Sequence, residues 1–76
     1  MCLGIPALVL DVNEDENWAL VDSNGAVFKV HLHILDEEVK KGDYVMVHAG
    51  FAIGKIEKED AKMRLEMLRE IIYYGR

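Results

Sequence analysis

The sequence predicts a mainly β protein: a small closed or partly closed barrel of about five strands, followed by one C-terminal α-helix. Three observations predict it. Short runs between Ile5 and Ile56 alternate apolar and polar residues with the period of a strand, and clusters of turn residues separate those runs. Beyond Ile56 the apolar spacing lengthens to that of a helix. Several short strands joined by tight turns favour closure, because a barrel protects its own edges.

The first strand is expected from Ile5 in the β-rich run IPALVLDVN, ending near Val12. The acidic, polar stretch 13–17 then makes a turn or short loop. Trp18 to Val21 is apolar, Asp22-Ser23-Asn24-Gly25 is a turn cluster ending in Asn-Gly, and Ala26 to Leu32 follows. In that last run Ala26, Phe28, Val30 and Leu32 alternate against Val27, Lys29 and His31, and this is the strongest hairpin signal of the chain. The segment His33 to Lys41 reads either as a short strand or as a single helical turn. Gly42-Asp43 is the turn that launches a strand over Tyr44 to His48, and after Ala49-Gly50 a last strand runs from Phe51 to Ile56, interrupted by Gly54. The helix is expected over roughly Lys58 to Tyr74, with Ala61, Leu65, Leu68 and Ile72 on one stripe and Met63, Met67 and Ile71 widening it. Glu57, Glu59 and Asp60 suit the positive end of its dipole, and Gly75 can end it. The 76 residues make one domain, with a barrel and N-terminal cysteine arm in residues 1–56 and the helix in residues 57–76.

Size and charge exclude several function classes. A chain of this length buries only roughly 60% of its unfolded surface, so a deep private active-site cavity is not expected. Nine Lys and Arg against fourteen Asp and Glu leave a net charge of −5, which repels a phosphate backbone unless the bases gather on one face, and here they are scattered. No apolar run approaches the ~20 residues of a membrane span, and the N-terminus lacks a signal-like pattern, so a cytoplasmic protein is expected. The single cysteine cannot form an internal disulfide, which fits a reducing compartment.

Two constellations could carry chemistry. The small side chain at position 2 favours removal of the initiator Met, which would leave the Cys2 thiol beside a free α-amine. A neighbouring ammonium favours the thiolate, a nucleophile and a soft ligand for iron. Gly4 permits close backbone approach, and Pro6 fixes its own backbone while holding Ile5 extended, so the cysteine sits on a short, partly stiffened arm. A cysteine in a mobile terminus and a Gly-x-Pro that merely opens a strand are the plainer readings. The second constellation is GDYVMVHAGFA, residues 42–52, whose alternation puts Tyr44, Met46 and His48 on one face and Val45 and Val47 on the other. His48, just before a glycine turn, can act as a ligand or proton carrier, although an exposed histidine at a strand end is more often solvated surface. His31 and His33 invite a metal reading with Cys2 or His48, but one cysteine and three scattered histidines have no zinc spacing, and surface roles fit better. Met63 and Met67 are most simply core contacts of the helix, while methionine-rich faces can also be adaptable docking surfaces.

Taken together, MCLGIP at the start and GDYVMVHAGFAIGKIEKEDA in the second half resemble the hydrogenase assembly chaperones of the HypC/HupF type, HybG among them. Either half alone would not be specific, and the resemblance runs over essentially the whole chain. One departure is Ala7, where the family usually has glycine after the proline. The resemblance implies an OB-like barrel with a C-terminal helix and a non-catalytic carrier function in maturation of [NiFe] hydrogenases. Its implied partners are a HypD-type iron–sulfur scaffold protein, on which iron acquires cyanide and carbon monoxide ligands, and the hydrogenase large-subunit precursor, to which the Fe(CN)2CO unit is escorted. No tightly bound cofactor is expected in the isolated protein, only transient iron. Carried over to this sequence, the essential cysteine is Cys2 and the motif histidine His48. Gly4, Ile5 and Pro6 would shape the arm, and Gly42, Asp43, Gly50, Phe51 and Ala52 the motif beside it.

Two other classes compete. A small acidic OB-like binding module for nucleic acid or protein, without iron chemistry, would share the fold, but nucleic acid needs a basic groove and exposed aromatic platforms. An enzyme with Cys2 as nucleophile and His48 as base is chemically possible, yet no oxyanion site or substrate pocket is predicted.

Overall fold

The computed structural model describes residues 4–74, with side chains through residue 71. Its elements are β1 (Ile5–Asn13), β2 (Trp18–Ser23), β3 (Ala26–His31), β4 (Tyr44–His48), β5 (Phe51–Ile56) and α1 (Lys58–Tyr74). The strands close into a barrel in the order β1-β2-β3-β5-β4. All neighbours are antiparallel except β3 and β5, which meet in parallel at His31 and Phe51.

The inward positions explain why so short a chain can close. Ala7, Val9, Ala19, Val21, Val30, Val45, Val47 and Ala52 line the interior, and the largest side chains wholly removed from solvent are valines. A narrow barrel admits only small and β-branched side chains on its axis, and β-branching also favours the extended backbone. Ile5, Val12, Phe28 and Leu35 pack around this core from partly buried positions.

Backbone chemistry fixes the register. Asn24 and Gly25 both have positive φ, 51° and 94°, as a two-residue turn between twisted strands requires. β1 serves two neighbours, pairing with β4 through Ile5 to Leu8 and with β2 through Leu8 to Asn13, and an irregularity between Val9 and Asp11 lets it bend between them. At that bend the Val9 amide donates to the Asp43 carbonyl (2.8 Å) and the Gly42 amide to the Val9 carbonyl (2.9 Å).

Two expectations change. β3 ends at His31, one residue short of Leu32, whose amide still donates to the Asn17 carbonyl (2.9 Å), the residue opposite it in the β2–β3 register, before the chain turns away. Residues 33–41 form neither a strand nor a helix. A tight turn, closed by the Leu35 amide on the Leu32 carbonyl (3.2 Å), opens an irregular segment that is anchored by buried Leu32 and Val39.

The helix begins at the barrel end where Ile56 pairs with Tyr44. It packs on β1 and β4, and Ala61 is completely buried. The Leu65 carbonyl accepts a hydrogen bond from Asn24 Nδ2 (3.0 Å), in the turn beside the start of β1, where Ser23 Oγ donates to the Pro6 carbonyl (3.0 Å). Thus α1 descends the barrel wall toward the end at which the chain enters β1. Residues 66–74 continue past it for about 13 Å at 1.5 Å per residue, in keeping with a molecule 41 Å long but 22 × 21 Å across. Met63, Met67 and Ile71 are not core contacts: they are 57%, 56% and 64% exposed. At 100° per residue they lie about 125° around the axis from Ala61, Leu65 and Leu68.

Candidate functional site

The entry into β1 and the β4–β5 turn form one neighbourhood. Ile5 pairs with Val47, and a Cβ built on Gly4 would stand 2.9 Å from the Val47 carbonyl oxygen, so the chain enters the barrel pressed against the end of β4. Pro6 is buried, with its carbonyl engaged by Ser23. His48, the last residue of β4, is exposed, and Ala49-Gly50 reverses the chain into Phe51. This loop has the positive-φ pair of a tight hairpin, but its first member is alanine (φ 53°, then 84° at Gly50). A side chain in the left-handed region costs about 1 kcal/mol or more, so the backbone between His48 and Phe51 is held in strain.

From the turn, the side chains of one ladder row run across three strands. His48 pairs with Phe51 and Phe51 with His31, while Ala52, the next residue, is buried in the core. The Phe51 and His31 rings stand 5.4 Å apart, and those of His31 and His33 5.7 Å apart. The row continues to Trp18, opposite His31, over which Lys29 Nζ lies at 5.0 Å. The outer wall therefore bears a band of imidazole and aromatic rings.

Gly42 and Asp43 lie elsewhere, at the other end of β4. Asp43 Oδ2 accepts the Lys40 amide (2.9 Å), and the Asp43 amide donates back to the Lys40 carbonyl (3.0 Å). Lys55 Nζ stands 3.2 Å from Asp43 Oδ2 and donates to the Glu38 carbonyl (3.1 Å). The Lys40 amide above all, with help from Lys55, holds the Asp43 carboxyl below its usual value against the opposing effect of burial. This corner ties the irregular segment 33–41 to β4 and β5.

The residues singled out in the sequence thus divide into two groups. Gly4, Ile5, Pro6, His48, Gly50, Phe51 and Ala52 come together around the arm's point of entry, whereas Gly42 and Asp43 shape a distant corner. Cys2 lies outside the described residues. Among the described residues no group of three or more His, Cys, Asp or Glu could hold a metal ion, which leaves His31 and His33 in the ring band. Sequence reasoning did not single out Ala49, although Ala-Gly in a two-residue loop is a visible sign of strain. The place of His31 beside Phe51 depends on a parallel pairing between distant segments and leaves no local signal.

Comparison with known proteins decides the family, because the model describing the HupF/HypC family matches residues 1–68. The chain belongs to the HupF/HypC family. Among its relatives, "Hydrogenase maturation factor HypC" of Helicobacter hepaticus is 38% identical over 72 residues, covering 95% of this chain and 83% of the relative. The protein of the same name from Rhizobium leguminosarum bv. viciae is 43% identical over 70 residues, covering 92% and 91%. "Hydrogenase maturation factor HybG" of Escherichia coli K12 is 36% identical over 77 residues, covering 96% and 94%. The HupF/HypC match takes in both groups of residues and the barrel between them. No helix among the described residues is long and apolar enough to cross a membrane.

Proposed function

We propose that this protein is a [NiFe]-hydrogenase maturation chaperone, a non-catalytic carrier that binds a HypD-type scaffold protein and delivers the Fe(CN)2CO unit to the large-subunit precursor. Family membership supports the first part of this reading. One geometric observation supports the rest: the root of the cysteine arm, Gly4, is packed against the Val47 carbonyl, one residue from His48. Two residues span at most about 7 Å, so the Cys2 thiolate and the His48 imidazole can serve one iron at the same edge.

In this reading Cys2 is the exchangeable ligand or partner contact and His48 an assisting ligand or a hydrogen-bonding neighbour. Transfer is a ligand exchange without change of oxidation state. A cysteine of the receiving protein loses its proton and takes the iron as a thiolate, and Cys2 leaves and recovers a proton. A thiolate near the end of a short arm suits such exchange better than a ligand locked in a closed site. The protein acts in the cytoplasm, where the thiol pool keeps such a cysteine reduced.

The test is infrared spectroscopy on protein purified anaerobically with its scaffold partner, in wild type, Cys2→Ala and His48→Ala. Carbon monoxide and cyanide bands should vanish with Cys2 and weaken or shift without His48. If Cys2→Ala co-purifies iron and scaffold as wild type does, the reading of Cys2 as exchangeable ligand or partner contact falls; wild type that brings down neither would favour an acidic OB-like binding module without iron chemistry.

A further inference from the structure

Between the turn that follows β1 and the irregular segment 33–41 lies an open-mouthed cavity of about 180 Å³. Its floor is the end of the core: buried Leu32 and Val39, with partly buried Val12 and Leu35. Its rim is acidic, carrying exposed Glu14 from the turn and exposed Glu37 and Glu38 from the segment.

These three carboxylates have no cation of their own. Among the described residues the ion pairs are Lys55 with Asp43 and Arg64 with Asp60, and no hydrogen bond reaches the side chain of Glu14, Glu37 or Glu38. Lys55 Nζ comes as near as the Glu38 carbonyl (3.1 Å), but its charge faces the Asp43 carboxylate 3.2 Å away. Like charges around an apolar hollow repel one another, and the hollow screens them less than open water does. A cation supplied from outside would relieve that repulsion.

The two halves of the cavity define what fits it. A bare ammonium or metal ion would meet the carboxylates and leave the apolar floor wet, whereas a wholly apolar side chain would strip water from the rim. A hydrocarbon stem that ends in a cation satisfies both, as the long basic side chains do. Arginine fits better than lysine, because its guanidinium is more weakly hydrated and its fork of donors can engage two carboxylates at once.

We infer that this cavity is a docking site for an arginine side chain presented by a partner protein. Free arginine would bring a carboxylate of its own, which the three glutamates repel, while an arginine within a chain brings none. The site stands apart from the arm: from Ile5 to Val12, β1 rises by up to about 23 Å at 3.3 Å per residue. A protein gripped by the cavity can therefore be a different one from that which receives the arm.

The experiment titrates the full-length protein with the peptide acetyl-Gly-Arg-Gly-amide and follows amide chemical shifts. The same peptide with citrulline in place of arginine, guanidinium chloride, free arginine and spermidine are compared at equal ionic strength. Saturable shifts should cluster on Val12, Asn17, Leu32, Leu35 and Val39, and the citrulline peptide and guanidinium should bind about fivefold more weakly or worse. Glu37→Gln/Glu38→Gln changes exposed side chains, should melt within a few degrees of wild type, and should weaken the arginine peptide about fivefold. The citrulline comparison uses wild type and does not depend on how the variant folds. Equal binding of the arginine and citrulline peptides, shifts scattered over the surface, or no saturable shift would overturn the inference. Tighter binding of free arginine or spermidine than of the peptide would give the cavity to a small cation and overturn it likewise.

Discussion

The Asp43 corner permits a quantitative test of how the barrel is held. Its carboxylate accepts the Lys40 amide at 2.9 Å and lies 3.2 Å from Lys55 Nζ, with 29% of the side chain exposed. A hydrogen bond to a charged acceptor contributes about 1.5–3 kcal/mol, partial exposure favours the lower end, and a half-exposed ion pair adds at most about 1 kcal/mol. Asp43→Ala should therefore cost roughly 2 kcal/mol, which in a domain of this size lowers Tm by about 8–16 °C. Asp43→Asn keeps an oxygen for the Lys40 amide but loses the charge, and should cost roughly half as much. Because the folded carboxyl ionises below its usual value of 3.8, its charge-dependent contribution is complete above that pH and is lost as pH falls through the depressed folded value. The assay is thermal and urea unfolding of wild type and Asp43→Asn by circular dichroism, from pH 7 to about 2.5. The stability gap should be constant at neutral and mildly acidic pH and should close only below the usual carboxyl value. A gap absent at pH 7, or one that widens on acidification, would refute the assignment of this carboxylate as an ionic clasp.

Three further outcomes follow from single contacts. Ser23→Ala removes a buried donor to the Pro6 carbonyl and should destabilise by about 1–2 kcal/mol in urea titration, without altering the arm's sequence. Gly4→Ala must push the Val47 carbonyl away from 2.9 Å, so amide chemical shifts of residues 46–49 should move together with a loss of roughly 1–2 kcal/mol. Ala49→Asn places a residue tolerant of positive φ in the strained turn and should raise stability by several tenths of a kcal/mol, read as an increase of a few degrees in Tm.

How much could be foreseen follows from where each signal lies. The hairpin at Asn24-Gly25 and the strand from Tyr44 to His48 are encoded in adjacent residues, and both appear where turn chemistry and alternation place them. The same holds for α1, whose limits match the change of period. The error over Met63, Met67 and Ile71 arises because spacing alone cannot say how wide a stripe the barrel can cover, and Ala61 docks so closely that only a narrow one fits. Residues 33–41 mislead because their anchors, Leu32, Leu35 and Val39, recur at the i, i+3, i+7 spacing of a helix, yet the segment makes one tight turn and then runs irregularly. The meeting of His48, Phe51 and His31 needs barrel closure, which joins segments without adjacent sequence and was beyond any local pattern. The contact between Gly4 and Val47 likewise depends on closure, although glycine itself hinted at a close approach.

The parallel junction of β3 and β5 has a mechanical consequence. It is fastened by the His31–Phe51 pairing and the His31 amide on the Gly50 carbonyl (2.8 Å), whereas every other seam of the cylinder is an extended ladder. Under heat or tension the wall should part first along this short buckle. Because Phe51 and His31 are its two halves, any ligand that bridged their outer surfaces would act as a rivet, raising the melting temperature and slowing amide exchange throughout the barrel.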